Sequence, residues 1–290
     1  MLSPATNMPP QDLPDRATEA LLSRPWTHLL DRALDKARTV PTMLSGQEQQ
    51  LYYWLTAFWA EGAGAIVDLG CFAGGSTARL AQGLAVAGLD SRVAAFDRFT
   101  AGEDVKHSVL YRQGVAPFDG ADILPLAKDL LAPWSEWIDL HRGEIDQLGW
   151  AGGPIEILVM DASKAACTMD RMSETFLPHL VPGRSLVVQQ DFLHWSQPWV
   201  PAQMELLSEY FTPLVHVPRD TMVFLCHGSP PADSLALARS DDLSDSDLLG
   251  LLAAAKLRYT PWGLADRLQE TIDGLRNNPG LRRAHQFQRR

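Results

Sequence analysis

The chain has 290 residues, 46% of them hydrophobic, and a formal net charge of −10. That length and apolar content suit one large globular unit with extensions and exclude a disordered chain. The acidic balance argues against nucleic acid, which calls for a basic face, and no apolar run approaches the roughly 20 residues of a membrane span. A small molecule is therefore the expected partner. The opening stretch lacks the basic-then-apolar pattern of a signal peptide, so a cytoplasmic location is expected. Cys71, Cys167 and Cys226 are too few and too widely spaced for a disulfide framework or a zinc site, and read as small buried hydrophobes.

Residues 1 to about 20 are rich in proline and polar residues and are expected to be loose. Trp26, Leu29, Leu30, Ala33, Leu34 and Ala37 stand near helical spacing and predict a helix over 24–42. Ser45 and Glu48 have the spacing of a capping box, opening a helix through Leu51, Leu55, Phe58 and Trp59 that ends at Gly62 and Gly64. Residues 1–47 thus read as an N-terminal helical cap with a loose start.

From residue 65 the pattern alternates. Short apolar runs at 65–69, 92–97, 137–141, 155–161 and 185–190 read as strands, and 76–87, 168–180 and 201–210 as helices. Such alternation implies an α/β fold, a doubly wound and mostly parallel sheet covered on both faces. Residues 213–217 and 221–226 are separated only by Pro-Arg-Asp, a link that permits an antiparallel hairpin and excludes a helical crossover. The informative unit is 48–228. Residues 229–290 form a helical extension, with an acidic patch at Asp241–Asp247 and helices near 245–256 and 262–276 that either pack on the main unit or form a homo-oligomer contact. The basic cluster from Arg282-Arg283 to Arg289-Arg290 reads as a solvated or disordered end.

The most telling stretch is Ala65-Ile-Val-Asp-Leu-Gly-Cys-Phe-Ala-Gly-Gly-Ser-Thr77. An apolar strand ends in glycines and opens a helix, so ligands can approach backbone N–H groups there. A dinucleotide fingerprint needs glycine two places after Gly70, where Phe72 stands. Asp68 would repel a pyrophosphate but suits an ammonium group. Asp97 ends the second strand, where a carboxylate accepts both hydroxyls of a ribose. S-adenosylmethionine carries a ribose, an adenine and an ammonium group without phosphates. The bland alternatives are that Gly74 and Gly75 permit close packing and that Asp97 is an ordinary strand-end acid.

The segments "VDLGCFAGGST" and "AAFDRF" resemble the first two motifs of class I S-adenosylmethionine-dependent methyltransferases, most closely those of the macrocin O-methyltransferase-like group. The resemblance covers about 48–228 and implies a Rossmann-like methyltransferase fold with seven strands, the last antiparallel. It implies that Asp68, Gly70, Gly74 and Ser76 line the methionine part of the cofactor and that Asp97 binds the ribose. Phe72, Gly75 and Arg98 belong to the same cofactor site, and Glu144 of "HRGEID" lies near the adenine unless it is a solvated loop acid.

Methyl transfer to an alcohol or phenol needs alignment and a base or metal to take the proton. Asp161 ends the fourth strand, with Lys164 three residues on. This Asp-x-x-Lys spacing resembles that of the catechol O-methyltransferase group, in which the Lys is the general base; the alternatives are a capping acid and a surface lysine. After the fifth strand the family pattern has two acids, and this chain has Gln190-Asp191. Asp161, Gln190 and Asp191 would make a weak magnesium site. A metal-free reaction with Lys164, Asp191 or His194 as base is equally open, as is a packed-loop role for His194. The tryptophans read as core more than as a substrate platform. The expectation is an O-methyltransferase acting on a small-molecule hydroxyl, of a sugar or natural-product-like acceptor. The competing readings are a non-catalytic binding protein on the same fold and a nucleotide-linked oxidoreductase.

Overall fold

The computed structural model describes residues 16–289. Seven strands form one sheet: β1 (Ala65–Leu69), β2 (Val93–Asp97), β3 (Ile138–Arg142), β4 (Ile155–Met160), β5 (Leu186–Gln189), β6 (Phe211–Val217) and β7 (Thr221–Cys226). Their order is β3-β2-β1-β4-β5-β7-β6. β1 pairs in parallel with β2 and β4, and β4 with β5, whereas β7 runs antiparallel to both β5 and β6. Six strands thus share one direction, and the sheet has the expected doubly wound, Rossmann-like form. The three-residue link at 218–220 forces the reversal, and β7 slots between β5 and β6.

Side chains alternate across the strands and feed two cores. Ile66, Ala95, Val159 and Val188 face one layer, with Leu51, Leu80 and Trp134. Val67, Leu158 and Val187 face the other, with Met172, Phe176, Trp199 and Leu268. Covering both faces is why β1, β4 and β5 read as mostly apolar runs, with Asp68, Glu156 and Gln189 as their buried polar exceptions. The strand order reverses between β1 and β4, which opens a crevice at the carboxyl edge.

The helix expected over 24–42 does not form. Two 3-10 segments, Pro25–His28 and Asp31–Thr39, stand there, the second kinked at Asp35 (φ 45). Leu34, Ala37 and Val40 are nonetheless buried, on either side of the kink. The capping box is present. Ser45 Oγ accepts from the Glu48 N–H at 3.3 Å and Glu48 Oε2 accepts from the Ser45 N–H at 2.6 Å, opening helix Gly46–Trp54, which continues as one wider turn to Trp59. The helix expected over 168–180 spans Ala166–Phe176, because Pro178 turns its end into a 3-10 step.

The basic tail is not loose. Behind helices Asp245–Arg258 and Ala265–Asn277 the chain returns to the sheet edge. Arg282 donates to Asp245 at 2.8 Å and to the Leu243 carbonyl at 2.7 Å. Arg283 forms an antiparallel bridge with Ala165, and Phe287 is buried beside Trp199. The signal for this lay in Asp245, one acid of the patch at Asp241–Asp247. Residues 1–15 of the expected loose start, and Arg290, lie outside the described residues; 16–22 form a short helix.

Candidate functional site

A cleft of about 780 Å³ lies along the carboxyl edge of the sheet. At its floor Gly70 sits at φ 97, and a Cβ there would lie 2.6 Å from the Asp161 carbonyl oxygen. Only glycine fits, and its bare backbone forms part of the cleft wall. Gly74 and Gly75 serve packing. A Cβ on Gly74 would meet Leu131 at 2.7 Å, and one on Gly75 the Pro41 carbonyl at 2.5 Å. Gly75 and Ser76 line a narrow annex beside the main cleft.

Asp68 lies beneath the turn and is fully buried. Its Oδ2 accepts from the hydroxyls of Ser76 and Thr77, each at 2.7 Å, which ties the start of helix Gly75–Ala87 to β1. Its Oδ1 is buried with no partner among the described residues. Burial pushes the carboxyl up to about 6, against the two hydroxyl donors.

Asp97 is presented on the cleft wall by two unusual residues. Its Oδ2 accepts from the Phe72 N–H at 2.9 Å and its Oδ1 from the Phe99 N–H at 2.7 Å. Both phenylalanines are left-handed, at φ 51 and φ 55. Such strain in bulky residues costs about 1–3 kcal/mol each and persists where the surroundings impose it. Here the imposed geometry aims a carboxylate, with lone pairs to spare, into the cleft. Arg98 and Glu144 also line it, 3.9 Å apart and both well exposed.

Lys164 lies between two carboxylates, 3.5 Å from Asp161 and in direct contact with Asp191. Burial pushes Asp161 up to about 8, against the pull of Lys164 and with the push of Asp191. Burial would lower Lys164, but Asp161 and Asp191 together lift it above the ordinary lysine value. Burial would raise Asp191, but Lys164 outweighs it and the net shift is downward. Lys164 is therefore a charged ammonium at neutral pH and lacks the free amine that the base role expected of it requires.

The expected magnesium ligands do not fit a metal. The Lys164 ammonium already stands as the cation between Asp161 and Asp191. The Gln190 amide is spent elsewhere: its Oε1 accepts from the Tyr52 hydroxyl and its Nε2 donates to Glu48 Oε1, each at 2.8 Å. Among the described residues no group of three or more His, Cys, Asp or Glu side chains is arranged to hold a metal ion.

His194 lines the cleft. Its Nδ1 faces the Ser196 N–H at 3.4 Å and the Ser196 hydroxyl at 3.0 Å. A backbone N–H makes Nδ1 an acceptor, so the ring proton sits on Nε2. Burial lowers the imidazole, against Asp191 and Asp220, so it is neutral at pH 7.

The structure adds residues that the sequence reading missed. Asp146, two places beyond Glu144, lines the cleft with Oδ1 buried and unpartnered among the described residues; the 3-10 turn Ile145–Gln147 carries it there. Glu48 comes from the N-terminal helix, and Arg219, Arg283 and His285 from the hairpin turn and the tail. Only the tertiary fold brings these together. Cys167, half-buried, also faces the cleft, whereas Cys71 and Cys226 are buried; all three are free thiols.

No family model matches the chain, and no curated protein matches it. Among solved structures it is similar to a Podospora anserina methyltransferase bound to SAH, at 12% identity over 74% of this chain and 89% of that one, with a TM-score of 0.43. It is also similar to the calicheamicin methyltransferase CalS11, at 17% identity over 77% of this chain and 100% of that one, with a TM-score of 0.44. Both likenesses are remote, and the functional reading rests on the geometry of the site. Among the described residues no helix is long and apolar enough to cross a membrane.

Proposed function

We propose that the chain is an S-adenosylmethionine-dependent O-methyltransferase acting on the hydroxyl of a small molecule, a sugar or natural-product-like acceptor. The observation that carries this is Asp97, fixed on the cleft wall by two left-handed phenylalanines beside a glycine floor. The residues present fit the cofactor. Asp97 accepts ribose hydroxyls, and the unpartnered Asp146 oxygen, with Glu144, accepts an exocyclic amine. Gly70 leaves backbone bare for the methionine portion, and Asp68 sets the turn from below. The placement in the macrocin O-methyltransferase-like group belongs to this proposal, resting on the G-G-S-T turn and the F-D-R-F segment. So does the division into a cofactor-binding unit at 48–228 with flanking segments.

When bound, S-adenosylmethionine supplies a methyl group already activated on a sulfonium, so the protein's tasks are alignment and proton removal. Asp161 takes the acceptor's hydroxyl proton. Its carboxyl titrates near 8, which suits a base that works close to neutrality. Lys164 balances the charge of Asp161 and Asp191 and keeps both in place. His194 offers Nε2–H as a donor that orients the acceptor. Catalysis derived this way involves no metal step.

Calorimetric titration with S-adenosylmethionine, S-adenosylhomocysteine and NAD, with and without magnesium, tests the reading. Micromolar binding of the first two alone, unchanged by magnesium, is expected. A folded protein that binds neither, or binds NAD instead, overturns it.

A further inference from the structure

The cleft is electrically lopsided, and the sheet order sets the direction. Glu144 and Asp146 follow β3, Asp97 closes β2, Asp161 follows β4, Asp191 follows β5, and Arg219 sits in the β6–β7 turn. From β2 to β7 there are four strand spacings, about 19 Å at roughly 4.8 Å each. The β3–β2 end keeps carboxylates, as a cationic cofactor requires.

Toward the far end two carboxylates are already paired with cations, while Glu48 is met only by neutral donors. Asp191 is held by Lys164, and Asp220 by Arg267 at 2.5 Å. Two arginines that line the cleft have no ion-pair partner among the described residues: Arg219, in the β6–β7 turn, and Arg283, bridged to Ala165 after β4. Both are held by backbone. Arg219 adopts φ 95 in its turn, an outlier for a non-glycine residue, and its carbonyl accepts from Arg267 at 3.1 Å. Its own guanidinium has only a long bond, 3.3 Å, to the Met43 carbonyl. Arg283 is positioned by its bridge to Ala165, flanked by the bonds Ala166 N–H to Arg282 O at 3.0 Å and Ala284 N–H to Lys164 O at 2.8 Å. In a chain of net charge −10, two arginines without an ion-pair partner lining one cleft are positive charge left over for a ligand. A planar guanidinium matches a carboxylate or phosphate through paired N–H donors.

We propose, building on the methyltransferase reading, that the acceptor bears an oxyanion, a carboxylate or phosphate, that binds Arg219 and Arg283 while its hydroxyl lies at Asp161. A strained turn and a tail strap both deliver arginine to this cleft, and an acidic acceptor gives them a common purpose.

The test uses matched probes on the full chain loaded with S-adenosylhomocysteine: 3,4-dihydroxybenzoate against its methyl ester, and glucuronate and glucose 6-phosphate against glucose. Calorimetry reads binding, and labelled S-adenosylmethionine reads transfer. At least one acid is expected to bind tenfold or more tightly than its neutral partner, and to weaken with added salt. Arg219→Ala and Arg283→Ala are each expected to remove most of that preference while leaving S-adenosylhomocysteine affinity and the melting temperature unchanged. Arg283→Lys is expected to restore part of it. The carboxylate and phosphate arms tell which oxyanion is preferred. If no acid binds better than its neutral partner, or if the preference survives both alanine variants, the inference falls. If acids are preferred but S-adenosylhomocysteine does not bind, the methyltransferase reading falls and the anion seat stands.

Discussion

Replacing Lys164 with alanine is expected to raise the titration of Asp161 further. The ammonium lies 3.5 Å from Asp161 Oδ1. At an effective dielectric of about 20 this separation corresponds to roughly 5 kcal/mol. The Lys164 side chain is 58% exposed, and solvent screening reduces the figure to about 1 kcal/mol. At 1.36 kcal/mol per pKa unit, that is an upward move of somewhat under one unit. Asp161, at about 8 in the native protein, is then expected to titrate higher in Lys164→Ala. Carboxyl-carbon NMR titration of the two proteins reads this without any acceptor. Asp68, at about 6 with no contribution from Lys164, provides an internal reference that is expected to stay put. The linkage has a definite sign. Asp161 is raised from 3.8 in the unfolded chain to about 8, so the folded protein holds the extra proton between these values. Its contribution to stability is full below about pH 4 and is lost as pH rises through about 8. An Asp161 midpoint that stays near 8 or falls in the variant would refute the charge balance assigned to Lys164.

Methyl transfer by the native protein is expected to rise with pH through about 8 as Asp161 deprotonates; a rate flat from pH 6 to 9 removes Asp161 as the base. Asp97→Ala is expected to weaken S-adenosylhomocysteine binding by about 1.5–3 kcal/mol, the range for charge-assisted bonds, and calorimetry on the folded variant checks it. Glu48 receives only donors, from Ser45, Gln190 and Thr221. Glu48→Gln turns an amide N–H₂ toward at least one of them and is expected to cost about 1–3 kcal/mol in urea unfolding. Phe287→Ala is expected to cost about 3 kcal/mol and to alter tryptophan fluorescence, since Phe287 packs on Trp195 and Trp199; unchanged stability would mean the tail does not dock as described.

The sheet was readable because its signal is local. Val67, Leu158 and Val187 sit in short apolar runs with turns between them, and Pro-Arg-Asp alone fixes the antiparallel return. The place of Asp97 on the cleft wall was readable because it closes a short apolar strand at the carboxyl edge of the sheet. The chemistry of Lys164 was not. Its role depends on Asp191, 27 residues away, and the number of carboxylates around an ammonium decides whether it is a base or a counter-ion. Gln190 misled for a similar reason, since Tyr52 and Glu48 claim its amide from a helix in the N-terminal segment. The 24–42 stretch misled because spacings of three and four overlap over a few residues, and the left-handed turn at Asp35 leaves no compositional trace.

The bridge between Ala165 and Arg283 bears on how the protein comes into being. The loop after β4 leaves the ribosome about 120 residues before the strand that pins it, and translation adds roughly 5–20 residues per second. The sheet and the Asp97 wall can assemble early, but Lys164 acquires its backbone partner, Ala284, only when the tail arrives. A nascent chain therefore passes through an interval of several seconds or more in which the half proposed to hold the cofactor is formed and the half proposed to hold the acceptor is unfinished. Newly made protein is expected to gain cofactor affinity before it gains turnover.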